Sequence, residues 1–179
     1  MPFAVHLFFD ANIEAVVKAA WKELADGQIA PYMFGSANRP HFTLAIYQEL
    51  ELQECEQRLQ SFATTQDPLP VEFQYLGIFP NAPAAVFLGA PVTVPLLSLH
   101  AQLHDALRPV AVDPDAYYLP GNWVPHCTLA LDLEPERITP ALEIARRLSL
   151  PLKGLIEEIG VDELQPVRHL FAFALGQKT

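Results

Sequence analysis

Two short segments carry one pattern of reactive side chains: Pro40-His41-Phe42-Thr43-Leu44-Ala45 and Pro125-His126-Cys127-Thr128-Leu129-Ala130, identical at five of six positions and 85 residues apart. Imidazole titrates near neutrality, so a positioned His can take a proton from an attacking oxygen or, when protonated, give one to a leaving oxygen. A Thr hydroxyl can donate a hydrogen bond to an anionic oxygen. In an extended strand, residues two apart share a face, which puts His41 with Thr43, and His126 with Thr128, while Phe42 and Leu44, or Cys127 and Leu129, turn to the other side. Two such strands about a pseudo-twofold axis would aim two imidazoles and two hydroxyls into one cleft. Those are the parts for in-line displacement at phosphorus: base and acid on opposite sides, with the hydroxyls on the non-bridging oxygens.

With 6 His in 179 residues, composition alone gives His-x-Thr-Leu about 0.03 times. It occurs twice. Duplication accounts for two copies, but it does not say why a polar pair should sit on an otherwise apolar strand, where each buried polar group needs a partner.

The elements that must position these residues follow from periodicity. Apolar alternation bounded by Pro, Gly, Asn or Asp predicts strands near 3–9, 41–47, 71–79, 84–90, 126–132, 152–161 and 168–175. Helical spacing predicts helices at 12–26, 51–64, 94–108 and 136–148, the third marked by Leu96, Leu99, Leu103 and Leu107. Segments 27–40 and 109–125 read as loops. Shifting by about the motif offset lays the first helix on the third and the second on the fourth, and brings VFLGA at 86–90 near FALGQ at 173–177. The expectation is an α+β chain of two internal repeats, about 1–80 and 81–179, forming one pseudo-twofold domain over residues 1–179.

The paired HFTL and HCTL motifs in a duplicated α+β chain resemble the two-histidine (2H) phosphoesterases, a superfamily that includes the bacterial 2′-5′ RNA ligase and cyclic phosphodiesterase proteins. The resemblance covers the chain through element order and repeat spacing, and at residue level it rests on the two motifs and their preceding Pro. It implies a LigT-like bilobal fold, with antiparallel sheets, helices packed outside and a central cleft. It also implies metal-independent chemistry on 2′,3′-cyclic phosphates or 2′-5′ linkages of nucleotides or short RNA, in either the hydrolytic or the ligating direction. By that match His41 and His126 are the catalytic pair, and Thr43 and Thr128 bind phosphate. A binding module that holds a nucleotide or cyclic phosphate without turnover is the alternative, although a retired enzyme would be expected to have lost one of the four side chains.

A net charge of −10 opposes tight binding to long nucleic acid, which depends on many Lys and Arg contacts to phosphate. The expected partner is therefore a small cyclic-phosphate nucleotide or a short RNA terminus. Arg39, beside the first motif, is a candidate phosphate contact. Among the loop aromatics Tyr32, Phe34, Tyr117, Tyr118 and Trp123, the last is the leading candidate to stack on a base.

The remaining reactive residues read more simply. His100 and His104, at i and i+4, have metal-capable spacing, but Ala101 stands where a zinc-protease motif needs Glu, so a solvated helix face is expected, with neither metal nor cofactor. His6 and His169 read as satisfied structural residues of terminal strands. Cys55 and Cys127 read as reduced, buried thiols. The opening MPFAVHLFFDAN lacks a basic n-region and a small-residue cleavage site, and no apolar run is long enough to span a bilayer. A monomer in the cytoplasm, without membrane contact, is expected.

Overall fold

The computed structural model describes residues 1–177. Among the described residues nine strands and five helices follow in the order β1 (Phe3–Phe9), α1 (Ala11–Asp26), α2 (Tyr32–Gly35), β2 (His41–Leu50), α3 (Leu52–Thr65), β3 (Leu69–Phe73), β4 (Tyr75–Phe79), β5 (Ala84–Gly89), α4 (Val94–Leu107), β6 (Ala111–Pro114), β7 (His126–Leu133), α5 (Pro135–Ala145), β8 (Leu152–Leu164) and β9 (Val167–Ala174). The strands form two antiparallel sheets. One runs β3-β8-β1-β2-β6, with β9 also paired to β8, and the other runs β4-β5-β7.

Local chemistry starts the helices. Asp10 caps α1 by accepting from the Ile13 amide at 2.9 Å, and its other carboxylate oxygen accepts from the Leu155 amide at 2.6 Å, tying the helix to β8. Thr93 caps α4 through the Leu96 amide. α1 buries Ile13, Val17, Ala20, Trp21 and Leu24, one stripe at three- and four-residue spacing, and α4 buries Leu96, Leu99, His100, Leu103 and Leu107. Both stripes enter a continuous apolar core with the inward faces of β1, β2, β5 and β7. Among the described residues, no helix is long and apolar enough to cross a membrane.

The expected strand 71–79 is in fact two strands. It breaks at Gln74, whose amide donates to the Gly89 carbonyl at 2.9 Å. β3 continues beside β8 in one sheet, while β4 joins β5 in the other. The run of strand-favouring residues is unbroken across the switch, so the sequence pattern could not register a change of partner. The segment 109–125 is not all loop: β6 pairs with the end of β2, matching Glu49 with Val112, and a short 3-10 turn covers Ala116–Tyr118. β6 sits at the sheet edge and includes Asp113 and Pro114, residues that weaken any strand signal. The segment 27–40 contains α2, and the last helix stops at Ala145 rather than near 148.

Gly160 lies in β8 opposite His6 of β1. A Cβ there would sit 2.7 Å from the Phe171 carbonyl oxygen and 2.8 Å from the Ala172 Cβ, both on β9. Gly160→Ala is expected to destabilise the fold by about 1–3 kcal/mol, lowering Tm by roughly 2–10 °C, through overpacking at a site with no slack. An unchanged or raised Tm in a thermal melt would contradict this packing.

Candidate active site

The two motif strands lie in different sheets, β2 in the larger and β7 in the smaller, and both face a cleft of about 670 Å³ lined by His41, Thr43, His126 and Thr128. The alternation is as expected: Phe42, Leu44, Cys127 and Leu129 are fully buried on the opposite faces. Burial holds the Cys127 thiol up at about 12, so it is packing and not a nucleophile.

Each motif His is anchored in the same way. His41 Nδ1 donates to the Arg39 carbonyl at 2.6 Å, and His126 Nδ1 donates to the Val124 carbonyl at 2.7 Å, in both cases two residues upstream. A carbonyl can only accept, so the proton of the neutral ring sits on Nδ1, and Nε2 carries the lone pair in both rings. Burial lowers the pKa of both. His41 falls to about 4 through desolvation, opposed by the bond to Arg39 and reinforced by the charges of His126 and His169; His126 is lowered mainly by desolvation. The empty cleft therefore holds two neutral imidazoles, both able to accept a proton at Nε2. An anion between them would favour charging one.

The chain's two Trp residues brace the motif strands reciprocally. The Trp21 indole, on α1, donates to the Thr128 carbonyl at 2.9 Å, and the Trp123 indole donates to the Thr43 carbonyl at 2.8 Å. Trp123, expected to stack on a base, borders the cleft but is only 8% exposed, and it stacks on His100, with ring centroids 4.1 Å apart and planes 10° apart. His100 is not on a solvated face. It is buried against the back of β2, where Nε2 meets the carbonyls of Leu44 at 3.0 Å and Tyr118 at 2.9 Å, and His104 reaches the same Leu44 carbonyl at 3.3 Å. Burial lowers the pKa of both. Arg39 is engaged as well: its guanidinium pairs with Glu158 at 2.8 Å and Glu14 at 3.5 Å and lies 4.4 Å over the Phe8 ring.

The halves differ beside the two motif imidazoles. Thr43 pairs across the sheet with His6, and Thr128 with Phe87. His6 is therefore part of the site, not a remote structural His. Its ring lies 3.9 Å from that of His41 and its Nδ1 is 3.2 Å from Thr43 Oγ1, whereas His126 has Phe79 at 4.9 Å and Phe87 at 5.3 Å. The signal for His6 is the one that exposes the motifs, a lone polar residue on an apolar strand. Behind it, His169 Nδ1 meets Asp162 Oδ1 at 2.7 Å.

The cleft mouth carries Tyr32, Tyr117 and Tyr118, of which Tyr117 is 80% exposed; Phe34 is exposed but does not line the cleft. Among the described residues, the lining contains no Lys or Arg and two carboxylates, Asp115 and Asp132. Asp132 adopts a left-handed backbone, φ 56°, uncommon for a residue inside a strand.

A family model described as the 2′-5′ RNA ligase superfamily matches residues 9–164. No curated protein sequence matches the chain. Among solved structures, TT0787 of Thermus thermophilus superposes with a TM-score of 0.66 at 19% identity, covering 100% of both chains. E. coli LigT complexed with 3′-AMP gives 0.61 at 17% identity over 99% of this chain and 100% of that one. Kluyveromyces marxianus Usb1 gives 0.52 at 13% identity over 94% and 97%. With a family match spanning most of its length and this fold around two anchored His-x-Thr strands, the chain belongs to the 2′-5′ RNA ligase superfamily.

Proposed function

We propose that the protein is a metal-independent phosphoesterase that opens 2′,3′-cyclic phosphates of nucleotides or short RNA, or acts on 2′-5′ phosphodiester linkages, by paired acid-base catalysis from His41 and His126. The observation that carries this reading is the matched presentation of two Nε2 atoms in one cleft, each fixed by an Nδ1–H bond to a carbonyl two residues upstream. In hydrolysis, one Nε2 takes a proton from water as the water oxygen bonds to phosphorus. The other, protonated, delivers its proton to the departing 2′ or 3′ oxygen. Thr43 and Thr128 donate to the non-bridging oxygens and hold them as charge builds. Ligation runs the same steps in the same direction with a ribose 5′-hydroxyl in place of water as nucleophile, and the reverse of that step cleaves a 2′-5′ linkage back to the cyclic phosphate. The 3′-AMP in the LigT complex supports a ribonucleotide as the occupant.

Charge narrows the substrate. With no Lys or Arg among the described lining residues, and with Asp115 and Asp132 at the cleft, the site suits one phosphoryl group on an otherwise uncharged body. A second phosphate would meet carboxylates and no cation. The most favoured substrate is therefore a nucleoside 2′,3′-cyclic phosphate with a free 5′-hydroxyl.

Four measurements decide between turnover and mere binding. His41→Ala and His126→Ala should each lower kcat on a 2′,3′-cyclic nucleotide by about 10²-fold or more; folded variants with full activity on every cyclic phosphate the parent cleaves would reduce the motifs to scaffolding. Because both folded-state pKa values lie below the ordinary 6.5, and the substrate stays a monoanion, kcat/KM should follow a bell. The rate falls at high pH as the acid loses its proton and at low pH as the base gains one, so the maximum should lie on the acid side of 6.5. An optimum well above neutrality would contradict neutral imidazoles in the empty cleft. Adding a 5′-phosphate to the substrate should lower kcat/KM about tenfold or more, with Asp132→Asn narrowing the gap; equal rates would discount the charge argument. Since imidazolium and hydroxyl donors supply the stabilisation, EDTA should leave the rate within about twofold, and a larger loss restored by a divalent ion would count against the mechanism.

A further inference from the structure

Two buried polar atoms beside the cleft, His6 Nε2 and Asp162 Oδ2, have no hydrogen-bond partner among the described residues. They face each other at 3.7 Å, with the two side chains 3% and 1% exposed. Buried polar groups are rarely left so, and one of these belongs to a ring whose centroid lies 3.9 Å from that of His41, which calls for a physical account. The other ends of both side chains are engaged. Asp162 Oδ1 meets His169 Nδ1 at 2.7 Å, His169 Nε2 donates to the Ala37 carbonyl at 2.8 Å, and His6 Nδ1 lies 3.2 Å from Thr43 Oγ1. A chain of polar groups thus runs from β9 through β8 and β1 to the Thr43 hydroxyl on β2.

The direction of the last bond matters. A hydroxyl has one proton. If His6 Nδ1 is a bare lone pair, Thr43 donates inward to it, and only oxygen lone pairs face the cleft, the wrong polarity for a phosphate oxygen. If Nδ1 carries the proton, it donates to Thr43 Oγ1 and leaves the hydroxyl proton free to point outward. With Nδ1–H in place, a proton on either His6 Nε2 or Asp162 Oδ2 makes the two unpartnered atoms a matched donor and acceptor, which a small closing of the 3.7 Å gap would join.

We propose that His6, tethered by Asp162, is a positioning residue for Thr43: in the occupied site it donates Nδ1–H to the Thr43 hydroxyl and so turns the hydroxyl proton onto the phosphate. The proposal rests on the phosphoester chemistry assigned to the cleft above. The groups facing His6 are His41 from β2, Asp162 from β8 and His169 from β9, with Phe8 on its own strand. In the empty site, burial and the neighbouring His41 and His169 hold His6 well below its ordinary pKa, and burial raises that of Asp162. A bound anion supplies the negative charge that draws the extra proton into this pair. Phosphate binding and protonation of the His6–Asp162 pair are therefore linked, in one half of the site only, since Phe87 takes the place of His6 opposite Thr128.

The test is a set of double-mutant cycles read on kcat/KM for a 2′,3′-cyclic nucleotide and, independently, on sulfate affinity by calorimetry. Thr43→Val and His6→Phe should each lose about tenfold to a hundredfold, as expected for one hydrogen bond to a charged group. The double variant should be within about threefold of the worse single, because both remove the same bond. His6→Phe combined with Thr128→Val should instead multiply, the control that a general structural defect would fail. Asp162→Asn provides a near-isosteric second line that does not depend on His6→Phe folding. Its amide nitrogen can donate to Nε2, which locks Nδ1–H onto His6 without a titrating proton. Sulfate affinity should then be retained and should weaken less steeply than the parent's as pH rises from the acid side of 6.5, where the lowered pKa of His6 lies. Multiplicative loss between His6→Phe and Thr43→Val, or an unchanged pH slope in Asp162→Asn, would overturn the proposal, as would a parent that binds no sulfate. A parent inert on every cyclic phosphate would overturn the proposed reaction and not this inference, which sulfate affinity still reads.

Discussion

The reciprocal pair of indole bonds is the constraint on which the cleft depends. β2 and β7 belong to separate sheets, so no backbone ladder fixes the distance between the two His-x-Thr faces. The N–H of Trp21 reaches the carbonyl of Thr128, and the N–H of Trp123 reaches the carbonyl of Thr43, each at a residue whose side chain faces the cleft. A buried indole with a satisfied N–H combines a large apolar contact with one directional bond, which suits it to set a spacing. His100 and His104 add to this from α4, bonding the Leu44 carbonyl one residue along β2. The polar edges of the motif strands are thus held from behind, leaving the His and Thr side chains to face the cavity.

Within that frame, symmetry holds for the reacting atoms and fails for their surroundings. Both imidazoles have the same tautomer for the same reason, a carbonyl two residues upstream. Behind them, one half has the titratable layer of His6, Asp162 and His169, and the other has Phe79 and Phe87. A phosphodiester is itself polar in sense, with one oxygen attacking and another leaving, so unlike halves suit the proposed substrate better than an exact twofold would.

Much of this is legible from residue types and spacing. The His-x-Thr repeats mark the cleft faces, and helical periodicity marks the long helices that carry the core, because both signals are local. What escapes depends on partners distant in the chain. The segment 71–79 reads as one run of strand-favouring residues, yet it changes sheet at Gln74, a choice made by β8 and β5. Trp123 reads as a stacking surface because it sits in a loop beside the motif, but a planar ring 4.1 Å away on α4 already occupies its face. Arg39 reads as a phosphate contact, but two carboxylates, Glu158 and Glu14, neutralise it first. His6 reads as structural because nothing in sequence says that β1 lies beside β2 in a register matching His6 to Thr43.

The exchange of strands between sheets also bears on how the protein is made. β1 is flanked on one side by β2 and on the other by β8, which ends at Leu164. As the chain leaves the ribosome, β1 keeps one bare edge until β8 has been made, and closing that gap joins residues as far apart in sequence as Phe3 and Glu163. Such long-range pairing forms slowly. The earlier β3 cannot bridge the gap, since it docks on β8 and not on β1. Asp162, the residue that faces His6, arrives on the same late strand, so the layer behind His41 is assembled only after β8 has emerged.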